Sequence, residues 1–316
     1  MGRKKNEHVE FRFYDPPRET TILPVIGEKW IRVYGSPEDP LHFHNLYEIG
    51  FCHKGTGVFY MDKEEIHYEP GQIIIVPPDY PHKTVSDGIN FWEYLFIDFA
   101  ELAEEIYVDN EAEKKNKMAL LGNSAIVLAP DDKSGIREII FDVINEFESR
   151  KPYFKETVDS QSRVLFYKIM RIQKEKSSDK EYELSVNDSM LNDNFPHIKP
   201  ALEYIEQHYN EPMKIKALAD SCNLSETHFR RIFADYVNMP PVDYLNLVRI
   251  QKACSIMRRT KHSMDQVAIE CGFSSTTTFN RNFKKFLGIS PYQWKINSSN
   301  YKSKIQNYKV SALKGW

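Results

Sequence analysis

Ser263–Trp294, SMDQVAIECGFSSTTTFNRNFKKFLGISPYQW, is the stretch on which the rest of the chain is organised. Ser263-Met264-Asp265-Gln266 has the form of a capping box, in which the Ser hydroxyl and the Gln amide satisfy orphan amides at a helix start. Val267, Ala268 and Cys271 give that helix an apolar face, and Gly272 can take the left-handed conformation that ends it. A second helix follows from Ser275. Phe279, Phe283, Phe286 and Leu287 recur at i, i+4, i+7 and i+8, which predicts one buried stripe. Thr277, Arg281 and Lys284 fall on the opposite side, flanked by Thr278 and Asn280. A short helix, a tight turn and a second helix presenting Thr, Asn, Arg and Lys is the layout of a helix-turn-helix DNA reader. An ordinary helical hairpin with a solvated face has the same pattern if the unit occurs once.

It occurs twice. Leu218-Ala219, Cys222 and Leu224 match Val267-Ala268, Cys271 and Phe273 at an offset of 49. After one inserted residue the offset is 50. Phe229 to Phe233 then match Phe279 to Phe283, Asn238-Met239-Pro240-Pro241 match Gly288-Ile289-Ser290-Pro291, and Tyr244 falls on Trp294. A repeat with apolar, outward and turn positions all in register is hard to obtain by chance. In the upstream copy Phe229, Ile232, Phe233 and Tyr236 point inward, and Thr227 and Arg231 lie opposite, flanked by His228 and Arg230. Its entry is less well capped, because Lys214 stands where Ser263 stands. Between the copies, residues 241–259 read as a helix apolar almost all round, which is the pattern of an element buried between two bodies. At 1.5 Å per residue it spans roughly 28 Å, close to one turn of DNA.

The 316 residues, 41% hydrophobic and 13% aromatic, support two globular domains. No run of about 18 apolar residues exists, so no membrane span is expected. The opening MGRKKNEHVEF has no apolar run after its basic residues, so no signal peptide is expected. Cys52, Cys222, Cys254 and Cys271 form no close pair, which fits a reduced, cytoplasmic protein without a thiolate-bound metal. The net charge of −3 hides an asymmetry. Residues 196–316 hold 18 Lys+Arg against 9 Asp+Glu, while residues 1–195 hold 24 against 36. The basic part suits double-stranded DNA, and the acidic part has another task.

Residues 21–99 alternate short apolar or aromatic runs with turn signals such as Gly55-Thr56-Gly57 and Pro77-Pro78-Asp79, the text of a small antiparallel barrel or sandwich. Within it lie His42-Phe43-His44 and Glu48, and later His82. His42 and His44 share a strand face, but on a straight strand Glu48 would be about 13 Å from His44. The chain must turn near Asn45-Leu46 for the four to converge. Three imidazoles and a carboxylate can hold Zn, Mn, Fe or Ni, can contact a small ligand, or can form a polar barrel floor. Trp92 and Tyr94 belong to a set of rings able to stack on a sugar or to fill a core. Residues 100–133 read as charged, with a mobile run around 114–117. Two amphipathic helices follow, about 134–149 and 155–174, to pack on the barrel or on a second subunit. The polar stretch 176–195 reads as an interdomain linker and 298–316, with Lys302, Lys304, Lys309 and Lys314, as a basic tail.

Two resemblances now emerge. Residues 196–297 resemble the DNA-binding domain of the AraC/XylS family of bacterial transcription regulators, on Arg249, Ala253, the Ser263–Ala268 helix start, Cys271-Gly272-Phe273-Ser274, Phe279 to Lys285 and Gly288-Ile289-Ser290-Pro291. Trp294-Lys295 stands where the family usually has Tyr-Arg. Residues 1–175 resemble a cupin-like effector and dimerisation module, departing from the two cupin motifs at Gly35, Asp79 and Ser86. The resemblance implies an α+β multidomain chain: an N-terminal cupin-like antiparallel β-barrel with a helical hairpin, then an all-α domain with helix-turn-helix units at about 214–236 and 263–287. It implies a non-enzymatic regulator, an activator and homodimer that works with RNA polymerase and answers to a small molecule such as a sugar. Thr227, His228, Arg230, Arg231, Thr276, Thr277, Asn280, Arg281 and Lys284 are the expected DNA contacts. His42, His44, Glu48, His82, Trp92 and Tyr94 are the expected effector contacts, and no cofactor is required unless the first four hold a divalent metal. A metal-dependent cupin enzyme with a DNA-binding appendage and a ligand-independent DNA-binding dimer are the alternatives.

Overall fold

The computed structural model describes residues 10–12, 14, 16–17, 20–61, 64–108, 110–121, 124–179, 195–237 and 239–296. The chain divides into two compact units, one of residues 13–189 and one of residues 190–315 together with the N-terminal segment that ends in a short strand, Glu10–Arg12. Residues 180–194 of the expected linker, Asn238 of the repeat and the four tail lysines lie outside the described residues.

The first unit is built on two antiparallel sheets. Strands β1 (Ile22–Val25), β2 (Ile31–Val33), β3 (His42–His44), β4 (Tyr47–Lys54), β5 (Gly57–Met61), β6 (Glu64–Tyr68), β7 (Ile73–Val76), β8 (His82–Ser86) and β9 (Ile89–Ile97) come first. Helices α1 (Phe99–Ile106) and α2 (Glu111–Leu121) precede a last strand, β10 (Ile126–Leu128). One sheet runs β10–β7–β4–β9–β1, with β2 also on β9, and the other contains β3–β8–β5–β6. Strand β9 is apolar on both faces because both are covered. Trp92 meets Phe59 and Tyr68 of the facing sheet with ring centroids 5.2 and 5.0 Å apart. Leu95 and Ile97 point the other way, into a cluster with Ile49 and Ile75, with Ile140 and Val143 of α3 (Ile136–Ser149), and with Leu165 and Ile169 of α4 (Phe154–Asp179). The expected helical hairpin therefore packs on the outer face of a sheet.

Three expectations need correction. Lys114–Lys117 is helical, inside α2, and Lys114 pairs with Glu104 of α1 at 2.9 Å. Opposite charges on neighbouring helices turned a segment that read as a solvated run into ordered structure. The sheet does not end near residue 100, because β10 pairs Val127 with Ile74 of β7. Helix α4 continues to Asp179, so the first residues of the expected linker belong to it.

The described residues from 195 to 296 form helices only: α5 (Phe195–His208), α6 (Ile215–Ser221), α7 (Glu226–Val237), α8 (Pro241–Arg259), α9 (Met264–Glu270), α10 (Thr276–Leu287) and α11 (Pro291–Ile296). The capping box forms: Gln266 N–H donates to Ser263 Oγ at 3.2 Å, and Ser263 N–H to Gln266 Oε1 at 2.8 Å. Lys214 gives α6 no side-chain cap. Gly272 ends α9 at φ +78, and a Cβ there would lie 2.7 Å from the Asn210 carbonyl oxygen. The matching residue of the upstream copy, Asn223, takes φ +55. Phe279, Phe283 and Leu287 are buried as expected, but Phe286 is only half-buried, with the Lys285 ammonium 5.3 Å from its ring centroid. The buried residues follow the i, i+4, i+8 row, so the face is centred on Phe283 and Phe286 falls at its edge. Helix α8 buries Tyr244, Leu247, Val248, Ile250, Ala253 and Met257, as an element set between two helix-turn-helix units should.

Candidate functional site

In the second unit helices α7 and α10 each bury a Phe-rich face and expose the other. Thr227, His228, Arg230 and Arg231 of α7, and Thr277, Asn280, Arg281 and Lys284 of α10, are exposed. Thr276 is half-buried, its hydroxyl donating to Asp265 of α9, which makes it a link between the two helices of its unit. Ser275 caps α10 by accepting from Thr278 N–H at 3.2 Å. Asn282 looks inward and donates to the Thr278 carbonyl at 2.9 Å. Lys285 is drawn to Asp243 at the start of α8, 2.7 Å away. Arg230 is held by Glu226, one turn earlier in α7, with Nε and Nη2 at 3.1 and 2.7 Å from one carboxylate oxygen. Glu226 was not among the residues expected at this surface. Its signal was the acid four positions before an Arg.

In the first unit the chain bends at Asn45-Leu46, between β3 and β4, as convergence of the histidines with Glu48 requires. His42 and His82 stand opposite each other in the β3–β8 ladder, and their rings are 4.3 Å apart. His44 Nε2 lies 2.9 Å and His82 Nε2 3.3 Å from Glu48 Oε2. His42, Glu48 and His82 offer ligand atoms within 4.8 Å of one another. All four residues are buried, His44 completely. Tyr94 is close enough for the Glu48 charge, added to burial, to push its phenol well up. Trp92 stacks on Tyr94 at 5.7 Å, within the aromatic packing between the sheets. Tyr14, in a stretch that showed no period, packs against Phe96 and His44 at 4.3 and 5.6 Å.

The hydrogens of this group do not add up without an added positive charge. The Leu46 and Tyr80 carbonyls accept from the Nδ1–H of His44 and His82 at 2.7 and 2.8 Å. A neutral imidazole has one N–H, so each Nε2 then turns a lone pair toward the same carboxylate oxygen. Burial drives His44 toward that neutral form. Burial also raises the Glu48 carboxyl, but the contacts from His44 and His82 outweigh it and hold the group at about 2. Ring protons or a shared cation satisfy every atom. A divalent metal fits, with Nδ1–H bonds to carbonyls orienting the rings as they do around bound metals.

Known proteins match both units. Residues 37–129 match the family described as an AraC-like ligand binding domain, and residues 218–296 a helix-turn-helix domain. YdeC of Bacillus subtilis (strain 168), an HTH-type transcriptional regulator, is 22% identical over 81% of this chain and 86% of its own. An HTH-type regulator of Staphylococcus aureus (strain MRSA252) is 31% identical over 34% of this chain, and GbdR of Pseudomonas aeruginosa 30% over 32%. The chain spans only 14% and 28% of those two relatives' own lengths. Among solved structures, ToxT from Vibrio cholerae is similar at TM-score 0.36 and 13% identity, covering 88% of this chain and 98% of its own. The DNA-binding domain of AdpA in complex with a target DNA is similar at TM-score 0.31 and 24% identity, over 35% and 96%. The matched families and named relatives are regulators, not enzymes. No described helix is long and apolar enough to cross a membrane. With a ligand-binding domain of the AraC type followed by its helix-turn-helix partner, this chain belongs to the AraC family of DNA-binding transcriptional regulators.

Proposed function

We propose that the protein binds as a homodimer beside RNA polymerase and activates transcription when a small molecule, a sugar or related metabolite, enters the β unit. Each subunit sets α7 and α10 into successive major grooves on one side of the duplex. The observation that carries this reading is a single buried 19-residue helix, α8, joining two helix-turn-helix units that match position by position. Its length of roughly 28 Å fits the 34–36 Å between successive grooves once reader widths are added. Thr227, Arg230 and Arg231 read one segment, and Thr277, Asn280 and Arg281 the next. Arg suits guanine, Asn suits adenine, and Thr offers a hydroxyl and a methyl. Lys284 meets phosphate. Exposed Val164 and Tyr167 on α4 support self-association of the first unit. The test is selection of bound duplexes from a random library, followed by footprinting with and without sugars and sugar phosphates. One protected groove, or none, sinks the bipartite reading; no change with any effector sinks the control.

A second reading of the β unit rests on the convergence of His42, Glu48 and His82, whose ligand atoms lie within 4.8 Å of one another. His42, His44, Glu48 and His82 would hold a divalent cation, which would supply a fixed positive point for an oxygen-rich effector. Metal analysis of protein purified without chelators tests it.

A further inference from the structure

The two readers are matched in fold but not in chemistry, and the difference centres on one carboxylate. At the offset of 50, Glu226 corresponds to Thr276, Arg230 to Asn280, Thr227 to Thr277 and Arg231 to Arg281. In the downstream unit the acid sits on the supporting helix, where Asp265 of α9 accepts from Thr276. The position matching Asp265 upstream, at the offset of 49, is Lys216 of α6. Upstream, the acid paired at the start of the reader is Glu226, on the reader itself. Nothing acidic occurs in α10, whereas Glu226 stands in the first turn of α7, the end that enters the groove.

A carboxylate facing DNA repels phosphate, so its place at this end of the helix calls for another role. Here it holds Arg230 by one edge. Nε and Nη2 both point at Glu226 Oε1, at 3.1 and 2.7 Å. A guanidinium carries five N–H groups in a rigid fork. With the Nε side engaged, the end made of Nη1 and the second hydrogen of Nη2 stays available as two parallel donors. Guanine presents two acceptors, O6 and N7, at the matching spacing in the major groove. Building on the DNA-reading function proposed above, we propose that Glu226 is a specificity-determining residue of the first reader. It orients Arg230 for a guanine, so that the two DNA segments recognised by one chain are not copies of each other. The first contains a guanine fixed by Arg230, and the second carries, at the corresponding place, an adenine read by Asn280.

The pair is exposed, so removing it adds little to or takes little from folding stability, and variants remain comparable with the native chain. The test uses the full-length protein on a randomised duplex library, with native protein, Glu226→Ala, Arg230→Ala and the double variant compared at two salt concentrations. Native protein is expected to select different bases at the two segments. Glu226→Ala is expected to lower the preference for guanine at one base pair by about tenfold, while binding to unrelated DNA strengthens, because a negative charge has left the surface. Arg230→Ala is expected to lose the same preference, and the double variant to look like Arg230→Ala. Loss of a further preference in the double variant means that Glu226 reads a base itself, and overturns the proposal. So does a uniform weakening on all sequences by Glu226→Ala, or two segments of identical sequence preference. Native protein that selects no sequence overturns the DNA-reading function itself, an outcome visible before any variant is compared.

Discussion

Arg249 Nε donates to the Tyr209 carbonyl at 2.7 Å, tying the middle of α8 to the loop that leaves α5. Its Nη2 donates to the Glu211 carbonyl at 2.9 Å, and its guanidinium lies 5.7 Å from the Phe273 ring centroid of the downstream turn. One buried cation thus touches the upstream body, the connecting helix and the downstream unit. Burial lowers its pKa from the ordinary arginine value, and carbonyl dipoles replace the water it has lost.

Arg249→Met should lower the stability of the helical unit by on the order of 3 kcal/mol, since two charge-assisted hydrogen bonds go and two carbonyls are left unpaired. Arg249→Lys should recover less than half, because an ammonium cannot serve both carbonyls with a planar fork. Urea unfolding measured with both variants checks the order.

The left-handed positions of the two turns should respond unequally. Gly272→Ala puts a Cβ at φ +78 and within 2.8 Å of Asn210 backbone atoms, so a loss above about 2 kcal/mol is expected. Asn223→Gly, at φ +55 in the upstream copy, should be neutral within about 1 kcal/mol. Thermal melts of the two variants, side by side, settle it.

Arg281→Ala should cost about 1–3 kcal/mol on the best sequence and much less when its base pair is changed. Lys285→Ala should leave base preference intact, because Lys285 is held by Asp243. A salt titration separates base reading from phosphate contact: a changed slope with unchanged preference would place Arg281 on the backbone.

If a cation completes the group around Glu48, adding Zn, Mn or Ni to chelator-treated protein should raise the melting temperature. A metal at a hundred times its dissociation constant adds about 2.7 kcal/mol. His82→Gln should abolish the shift. A shift equal in native and variant protein would place the metal elsewhere.

What the residues disclosed, and what they hid, follows from the range of the forces involved. The capping box at Ser263, the Phe279 and Phe283 face and the buried character of 241–259 are local patterns, and the structure carries them unchanged. The bend at Asn45-Leu46 was legible because a straight strand cannot bring His44 to Glu48. Less legible were features decided by distant partners. Strand β10 exists because Val127 meets Ile74, over fifty residues earlier. Lys114 looked solvated until Glu104 was beside it. Nothing in the spacing of Thr276 shows that Asp265, 11 residues earlier, accepts from its hydroxyl. Asn223 hid a left-handed turn that a glycine advertises in the other copy.

Helix α8 also constrains how this protein can change. An α-helix turns about 100° and rises 1.5 Å with every residue. One residue inserted between Tyr244 and Met257 would swing α10 more than a quarter-turn around the helix axis relative to α7, and no compensating change in the DNA sequence could restore both contacts. On the proposed DNA reading, the exposed residues of α7 and α10 can be exchanged one at a time, each exchange retuning a base pair. The phase between the two readers has no such intermediate, so new targets are reached by substitution on α7 and α10 while the length of α8 stays locked.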